Sequence, residues 1–83
     1  MLERLKQENK ITGVKQTLKA VEEGRAEIVF VAADADKRVI AGLTELCLKS
    51  KIEVFNAESM KQLGKACGID VGASAACILK KPD

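Results

Sequence analysis

Two lysines and a glutamine that follow a glycine near the N-terminus have the types and spacing of a phosphate-contacting surface. Residues 13–19 read GVKQTLK, and Lys15, Gln16 and Lys19 fall at i, i+1 and i+4, so they share one face of a helix. A helix start offers free backbone amides, and these side chains add donors for phosphate oxygens and guanine edges. The pattern favours contact with a nucleic acid. On these residues alone, a solvated helix face is the commoner explanation.

A second segment is rich in glycine and small apolar residues. Residues 64–73 read GKACGIDVGA, and we expect Ile69 and Val71 to be exposed there. Glycines let the backbone approach a ligand closely. The spacing matches neither G-x-x-x-x-G-K-[ST] nor G-x-G-x-x-G, which disfavours a nucleotide-binding loop. A helix end followed by a turn explains the same glycines.

Two carboxylates follow a predicted buried strand, where α/β phosphatases carry a nucleophile and an acid beside magnesium. Asp34 and Asp36 could take those roles. No third acidic ligand follows at the spacing of a calcium loop, the chain has little room for the rest of such a site, and Asp commonly caps a helix. We therefore interpret Asp34 or Asp36 as the cap at the N-terminus of the helix that follows, and keep a small magnesium-dependent phosphatase as the enzyme alternative.

The composition narrows the classes of partner. The 14 Lys and Arg against 12 Asp and Glu give a formal charge of +2, so total charge does not by itself indicate a polyanion partner. Aromatic residues make up only 2%, which argues against base stacking on aromatic side chains. With no histidine, the common zinc sites and histidine bases are excluded, and we expect no metal and no cofactor. The cysteines Cys47, Cys67 and Cys77 include no C-x-x-C pair and are expected to be reduced and buried.

Segments with the apolar spacing of a helix alternate along the chain with short apolar runs typical of strands. A short helix around Leu2 and Leu5 leads to a turn or brief strand at 11–13. Helices are predicted over 14–23, about 36–50, and 59 to near 68, and strands over 27–33, 52–55 and 73–79. The longest helix carries an apolar stripe of Val39, Ile40, Leu43, Leu46 and Cys47. This order predicts one α/β domain over 1–83, a three-layer α/β/α sandwich with parallel neighbouring strands.

Three segments taken together carry a family resemblance. They read GVKQTLKAVEEG at 13–24, FVAADAD at 30–36 and ESMKQLGKACGIDVGASAA at 58–76. In order and spacing they resemble the ribosomal protein L7Ae and L30e family of kink-turn RNA binders, and in particular its short bacterial members of the YbxF type. The resemblance implies an α/β/α sandwich with a small mixed central sheet. It also implies binding to the kink-turn, in which tandem sheared G·A pairs follow a three-nucleotide bulge and bend the RNA sharply.

The resemblance also implies which residues contact RNA. The family pattern G-x-N-E-x-x-K, whose helix start reads the G·A pairs, falls on Gly13, Val14, Lys15, Gln16 and Lys19. Here lysine replaces the Asn of the pattern and glutamine replaces its Glu. Glutamine still offers an acceptor and adds a donor, whereas a lysine ammonium suits a phosphate better than a base edge.

A second family pattern, L-E-V-P-A, supplies apolar cover for a nucleotide extruded from the bulge. It falls on Ile69, Asp70, Val71, Gly72 and Ala73, with glycine in place of proline, which predicts a loop that is less rigid before binding. Asp36 and Ile40 match family positions that flank the extruded base. Lys61 and Lys65 match positions where basic residues can contact the RNA backbone.

We therefore expect a non-catalytic protein whose partners are structured RNAs that contain kink-turns, such as ribosomal, riboswitch or ribonuclease P RNA. Binding to DNA is not expected. The charged N-terminal stretch and the lack of a long apolar run predict a cytoplasmic protein without a membrane partner, either on the ribosome or apart from it, and nothing requires more than a monomer. The alternative is the same fold used as a protein–protein interaction module.

Overall fold

Residues 1–81 form four helices and four strands. The computed structural model describes residues 1–81, so Pro82 and Asp83, the last two residues of the domain predicted over 1–83, lie outside the described residues. In chain order the elements are α1 (Glu3–Gln7), β1 (Lys10–Thr12), α2 (Val14–Glu22), β2 (Ala26–Ala32), α3 (Lys37–Lys49), β3 (Glu53–Ala57), α4 (Met60–Ala66) and β4 (Ala75–Leu79). Each predicted element is present, and its ends differ from the predicted ends by at most two residues.

The four strands form one mixed sheet in the order β1-β4-β2-β3. Strands β2 and β3 are parallel, with Phe30 opposite Phe55, whereas β4 runs antiparallel to both β1 and β2. The expectation of parallel neighbours from alternation alone is therefore wrong for β4. The reason lies after α4, where the chain turns back along that helix until the Ala73 amide donates to the Met60 carbonyl, 3.0 Å away. Strand β4 then starts beside the end of β2 and must run the opposite way.

Helices cover both faces of the sheet, as the predicted three-layer sandwich requires. On one face, α1 and α4 contribute Leu5 and Leu63 to a core cluster that includes Phe30. On the other face, α2 and α3 contribute Val21 and Leu43 to a second cluster. All three cysteines are buried and free, as predicted. Within residues 1–81, no helix is both long enough and apolar enough to cross a membrane.

The apolar stripe predicted on α3 is only partly buried. Leu43 and Cys47 lie in the core, but the side chain of Val39 is 50% exposed and belongs to neither core cluster. Val39 lies in the first turn of α3, at the edge of the sheet, where fewer neighbouring elements can cover it. Periodicity correctly assigned the helix but could not show where its neighbours end.

Three helices start at the same edge of the sheet. Strands β1, β2 and β3 end there and β4 begins there, so α2, α3 and α4 all start from this edge. We call the segments 13–16, 33–40, 58–61 and 69–74 the upper edge. Strand β4 begins at Ala75 instead of the predicted 73, because the amide of Ala73 bonds to α4 and not to a neighbouring strand.

Candidate nucleic-acid interface

The start of α2 is fixed by a glycine. Gly13 is the residue before the first helical turn and has φ 109°, a conformation that a side chain would disfavour. Its amide donates to the Ala75 carbonyl over 2.8 Å, which ties the helix start to the beginning of β4. A Cβ atom at this position would come within 2.8 Å of the Gln16 Oε1 atom, so the Gln16 side chain folds over the glycine.

The polar face predicted for α2 is solvent-accessible. Lys15, Gln16 and Lys19 are exposed, whereas Val14 is half-buried against the core cluster of the α2 face. Among the residues that the structure describes, no ion pair involves Lys15 or Lys19. Both ammonium groups are therefore available to an anionic partner.

The loop before β4 presents two apolar side chains to solvent. Ile69 is 37% exposed and Val71 is 70% exposed, as the sequence predicted, and Asp70 and Gly72 are exposed beside them. Ala73, the last residue of the matched pattern, is buried in the core instead. The apolar surface of this loop thus consists of the Ile69 and Val71 side chains.

Close approach to α4 determines where this loop lies. The Ile69 amide donates to the Gly64 carbonyl over 3.0 Å, and a Cβ atom at Gly64 would overlap the carbonyl oxygen of Val71. A Cβ atom at Gly72 would lie 3.1 Å from the Met60 Cβ atom. The sequence pattern predicts a helix end at these glycines and does not indicate that Gly64 lets the loop lie against α4. The available signal was a glycine inside a predicted helix.

The two carboxylates of the enzyme alternative both cap helices. Asp36 accepts from the Arg38 amide over 2.9 Å at the start of α3, and the Arg38 guanidinium beside it holds the pKa of that carboxyl below its usual value. Asp34 Oδ1 accepts from the Met60 amide over 2.7 Å at the start of α4. Within residues 1–81, no cluster of His, Cys, Asp or Glu side chains is suited to hold a metal ion.

Comparison with known proteins assigns the family. The sequence model described as "Ribosomal protein L7Ae/L30e/S12e/Gadd45 family" matches residues 2–83. The chain belongs to this family. Its curated relatives include "RNA-binding protein YbxF" of Geobacillus stearothermophilus, 46% identical over 70 residues, which are 84% of this chain and 85% of that protein. They also include the large ribosomal subunit protein eL8 of Halobacterium salinarum, 40% identical over 72 residues, 86% of this chain and 60% of that protein.

A solved structure shares the fold of this L7Ae-family chain. The Giardia lamblia 15.5kD RNA binding protein superposes with a TM-score of 0.88 at 31% identity, covering 96% of this chain and 71% of that one. This similarity confirms the α/β/α sandwich with a mixed sheet that the resemblance predicted.

Among the remaining predicted residues of this L7Ae-family chain, Ile40 and Lys61 lie at the same edge and Lys65 does not. Ile40 is half-buried and touches both core clusters, so little of it faces solvent. Lys61 and Lys65 are exposed at i and i+4 on α4, with Lys65 lining a groove of about 320 Å³ between α1 and α4. Lys61 therefore belongs to the upper edge, whereas Lys65 extends away from it.

Two basic residues of the upper edge were missed at the sequence level. Lys37 and Arg38 open α3, and the Arg38 side chain is 92% exposed although it pairs with Asp36 at 3.0 Å. The available signal was two cations directly after a predicted capping aspartate.

The upper edge combines features that suit a folded polyanion. The N-terminus of α2 has no side-chain cap and directs free amides toward it, and the N-termini of α2 and α3 both add partial positive charge. Lys15, Lys37 and Arg38 add full charges. Asp34 and Asp36 lie among them, so the edge is not uniformly basic. In the loop before β4, Ile69 and Val71 add an exposed aliphatic surface.

Proposed function

We propose that this chain is a non-catalytic RNA-binding protein that recognises kink-turns in structured RNA. The observation that carries the proposal is the 2.8 Å hydrogen bond from the Gly13 amide to the Ala75 carbonyl. It holds the polar start of α2 beside the strand into which the apolar loop 69–73 leads. The start of α2, which would enter the RNA groove, and the apolar loop, which would cover a base, therefore lie at one edge. This arrangement suits an RNA that combines a distorted groove with an extruded nucleotide.

The names of the relatives support the RNA part of this proposal. The proteins from Geobacillus stearothermophilus and Giardia lamblia are both named RNA-binding, and the one from Halobacterium salinarum is a ribosomal protein. At 46% and 31% identity, with most of each chain covered, the first two support an RNA-binding role for this chain. Kink-turn recognition is the more specific part of the proposal, and the match of residues 13–19 and 69–73 to the two family patterns supports it.

We assign the base-reading role to the start of α2. In the proposed complex Gln16 meets the edges of the G·A pairs with its amide, which both donates and accepts. Lys15 and Lys19 contact phosphate oxygens, because an ammonium group is a point charge without fixed directionality. Recognition by this helix should therefore depend on salt more strongly than recognition by uncharged side chains.

We assign the nucleotide cover to the loop. Ile69 and Val71 would pack on the face of the extruded base, while Asp36 and Ile40 flank it from α3 and Lys61 and Lys65 approach the backbone from α4. Asp70, Gly72 and Ala73 would shape the loop. Because glycine stands at position 72, binding should restrict this loop more than it would a loop with proline there.

The proposal extends to the setting in which the protein works. Candidate partners are ribosomal RNA, which the eL8 relative makes a natural choice, and kink-turns of riboswitch or ribonuclease P RNA. We propose that it acts as a monomer in the cytoplasm, without DNA, cofactor or membrane. The carboxylates of Asp34 and Asp36 both accept hydrogen bonds from helix-start amides, which supports a structural role for them over a catalytic one.

A paired titration tests the proposal. Calorimetry or gel shift would compare a kink-turn RNA with the same RNA in which Watson–Crick pairs replace the G·A pairs. Tight binding to the first RNA alone is expected. Equal binding to both would indicate a generic basic surface. A folded protein that binds neither would favour a protein partner for the same surface, and either result would refute kink-turn recognition.

A further inference from the structure

We propose that Asp34 is a positioning residue for RNA recognition, which holds the apolar loop 69–73 in place through the backbone of Met60. The inference rests on the proposed function. Asp34 lies in the connection between β2 and α3, and its Oδ1 atom accepts from the Met60 amide over 2.7 Å. The carboxylate thereby links two segments of the upper edge that are distant in sequence.

Met60 also contacts the loop through its backbone carbonyl and its side chain. Its carbonyl accepts from the Ala73 amide over 3.0 Å, and its Cβ atom lies so close to Gly72 that a side chain there would meet it at 3.1 Å. Its sulfur lies 3.5 Å from the Ser74 hydroxyl oxygen. The backbone amide and the backbone carbonyl of the same residue, Met60, are thus bonded to Asp34 and to the loop respectively.

The physical role of the carboxylate follows from where α4 begins. The first amides of a helix lack partners within the helix. Ser59 accepts from the Gln62 amide over 3.0 Å, and Asp34 supplies the acceptor for the Met60 amide. A hydrogen bond to an ionised acceptor is stronger than one to a neutral acceptor. Because Asp34 is exposed, its contribution is to position the start of α4 and not to fill the core.

Loss of this bond should make the loop less ordered before RNA arrives. Ile69 and Val71 lie on the loop that Met60 anchors, so their positions depend on that anchor. A loop that must be ordered during binding lowers the affinity. The effect should concern only the interaction with the extruded base, since Asp34 itself contacts no part of the proposed RNA.

The test combines a protein change with an RNA change. Affinity is measured for wild type and Asp34→Ala with a kink-turn RNA and with the same RNA carrying an abasic site at the extruded nucleotide. We expect Asp34→Ala to weaken binding to the intact RNA about five- to tenfold, the equivalent of one hydrogen bond. Binding to the abasic RNA should be unchanged. Asp34→Asn should restore nearly wild-type affinity, because its amide oxygen can accept the same bond.

Ser59→Ala is the matched control. It removes the other side-chain cap of α4, so it should destabilise that helix, but it leaves the link from Asp34 to Met60 intact. The wild-type ratio of the two affinities is expected to persist in this variant. Equal weakening of both RNAs by Asp34→Ala, or the same loss of the ratio in Ser59→Ala, would overturn the inference, because either result is what general destabilisation produces.

Hydrogen exchange of the free protein provides a readout without RNA. Asp34→Ala should speed exchange of the Ala73 amide, and Asp34→Asn should not. Unchanged protection of that amide in Asp34→Ala would refute the relay through Met60. If wild type itself binds intact and abasic RNA equally, the proposed base cover fails, which the wild-type data alone would reveal.

Discussion

Lys19 makes the salt dependence of binding a test at the level of one side chain. Its ammonium group is exposed, and no ion pair among the described residues engages it. If it contacts a phosphate, Lys19→Ala should weaken kink-turn binding and reduce the slope of log affinity against log salt by about one. Titrations at several salt concentrations measure both quantities. Lys49→Ala removes the same charge from the last turn of α3 and should leave the slope unchanged. A similar loss in both variants would contradict the proposed docking.

Ile69 tests the apolar cover by the same approach. Because this side chain is 37% exposed, Ile69→Asp should leave the protein folded, and it should weaken RNA binding by placing a charge against a base. Circular dichroism and titration report the two effects separately. Leu48→Asp is the control, since Leu48 is 80% exposed near the far end of α3 and should tolerate a charge without affecting RNA. Unfolding of Ile69→Asp would mean that the loop serves the core.

At the level of elements, two helical glycines differ in whether the packing requires glycine. Both Gly64 and Gly42 lie inside helices, but a Cβ atom at Gly64 would overlap the Val71 carbonyl, whereas nothing lies within 4 Å of one at Gly42. Gly64→Ala should force the loop away from α4 and cost about 1–3 kcal/mol of stability. Gly42→Ala should gain up to about 1 kcal/mol from helix propensity.

Denaturant titrations measure these free energies of unfolding. RNA affinity reports whether the loop keeps its position. Gly64→Ala should lose affinity even where it remains folded, since Ile69 and Val71 move with the loop. Gly42→Ala should bind RNA as wild type does. If Gly64→Ala proved as stable as wild type, the close packing of the loop against α4 would not exist in solution.

At the level of the whole molecule, stability should fall in acid. The Arg4 guanidinium, 2.6 Å from Glu8, holds the pKa of that carboxyl below its ordinary 4.5, and Arg4 also bonds to Glu27 of β2. Arg38 lowers the pKa of Asp36 in the same way. The unfolded chain therefore binds protons more readily, so these contributions are complete above the unfolded pKa values and are lost as the pH falls through the lower folded values.

Urea unfolding across pH measures this dependence. The midpoint should be nearly constant above about pH 5 and should fall below it. Glu8→Gln should show a shallower fall, because its neutral side chain no longer titrates beside Arg4. A midpoint that stayed level down to pH 3 would refute the role assigned to these ion pairs.

Local patterns in the sequence suffice to predict the helices, the strands and the chemistry of the two contact segments. Helix periodicity and capping are local, so α3 was predicted from Asp36 to Ser50, and Ser59 marked the start of α4. Residue types alone predicted that Ile69 and Val71 would be exposed, as they are. The resemblance added the mixed sheet and the family, which the comparisons confirmed.

How these segments meet depends on contacts between distant parts of the chain. The antiparallel direction of β4, the exposure of Val39 and the link from Asp34 to Met60 depend on hydrogen bonds and neighbours that come from distant parts of the chain. Local patterns do not encode such partners, because a free amide at a helix start can be satisfied by any acceptor that folding brings near. The Gly13 amide meets the Ala75 carbonyl for this reason, and together with the pairing of β1 and β4 that contact brings the polar helix start to the edge where the apolar loop ends.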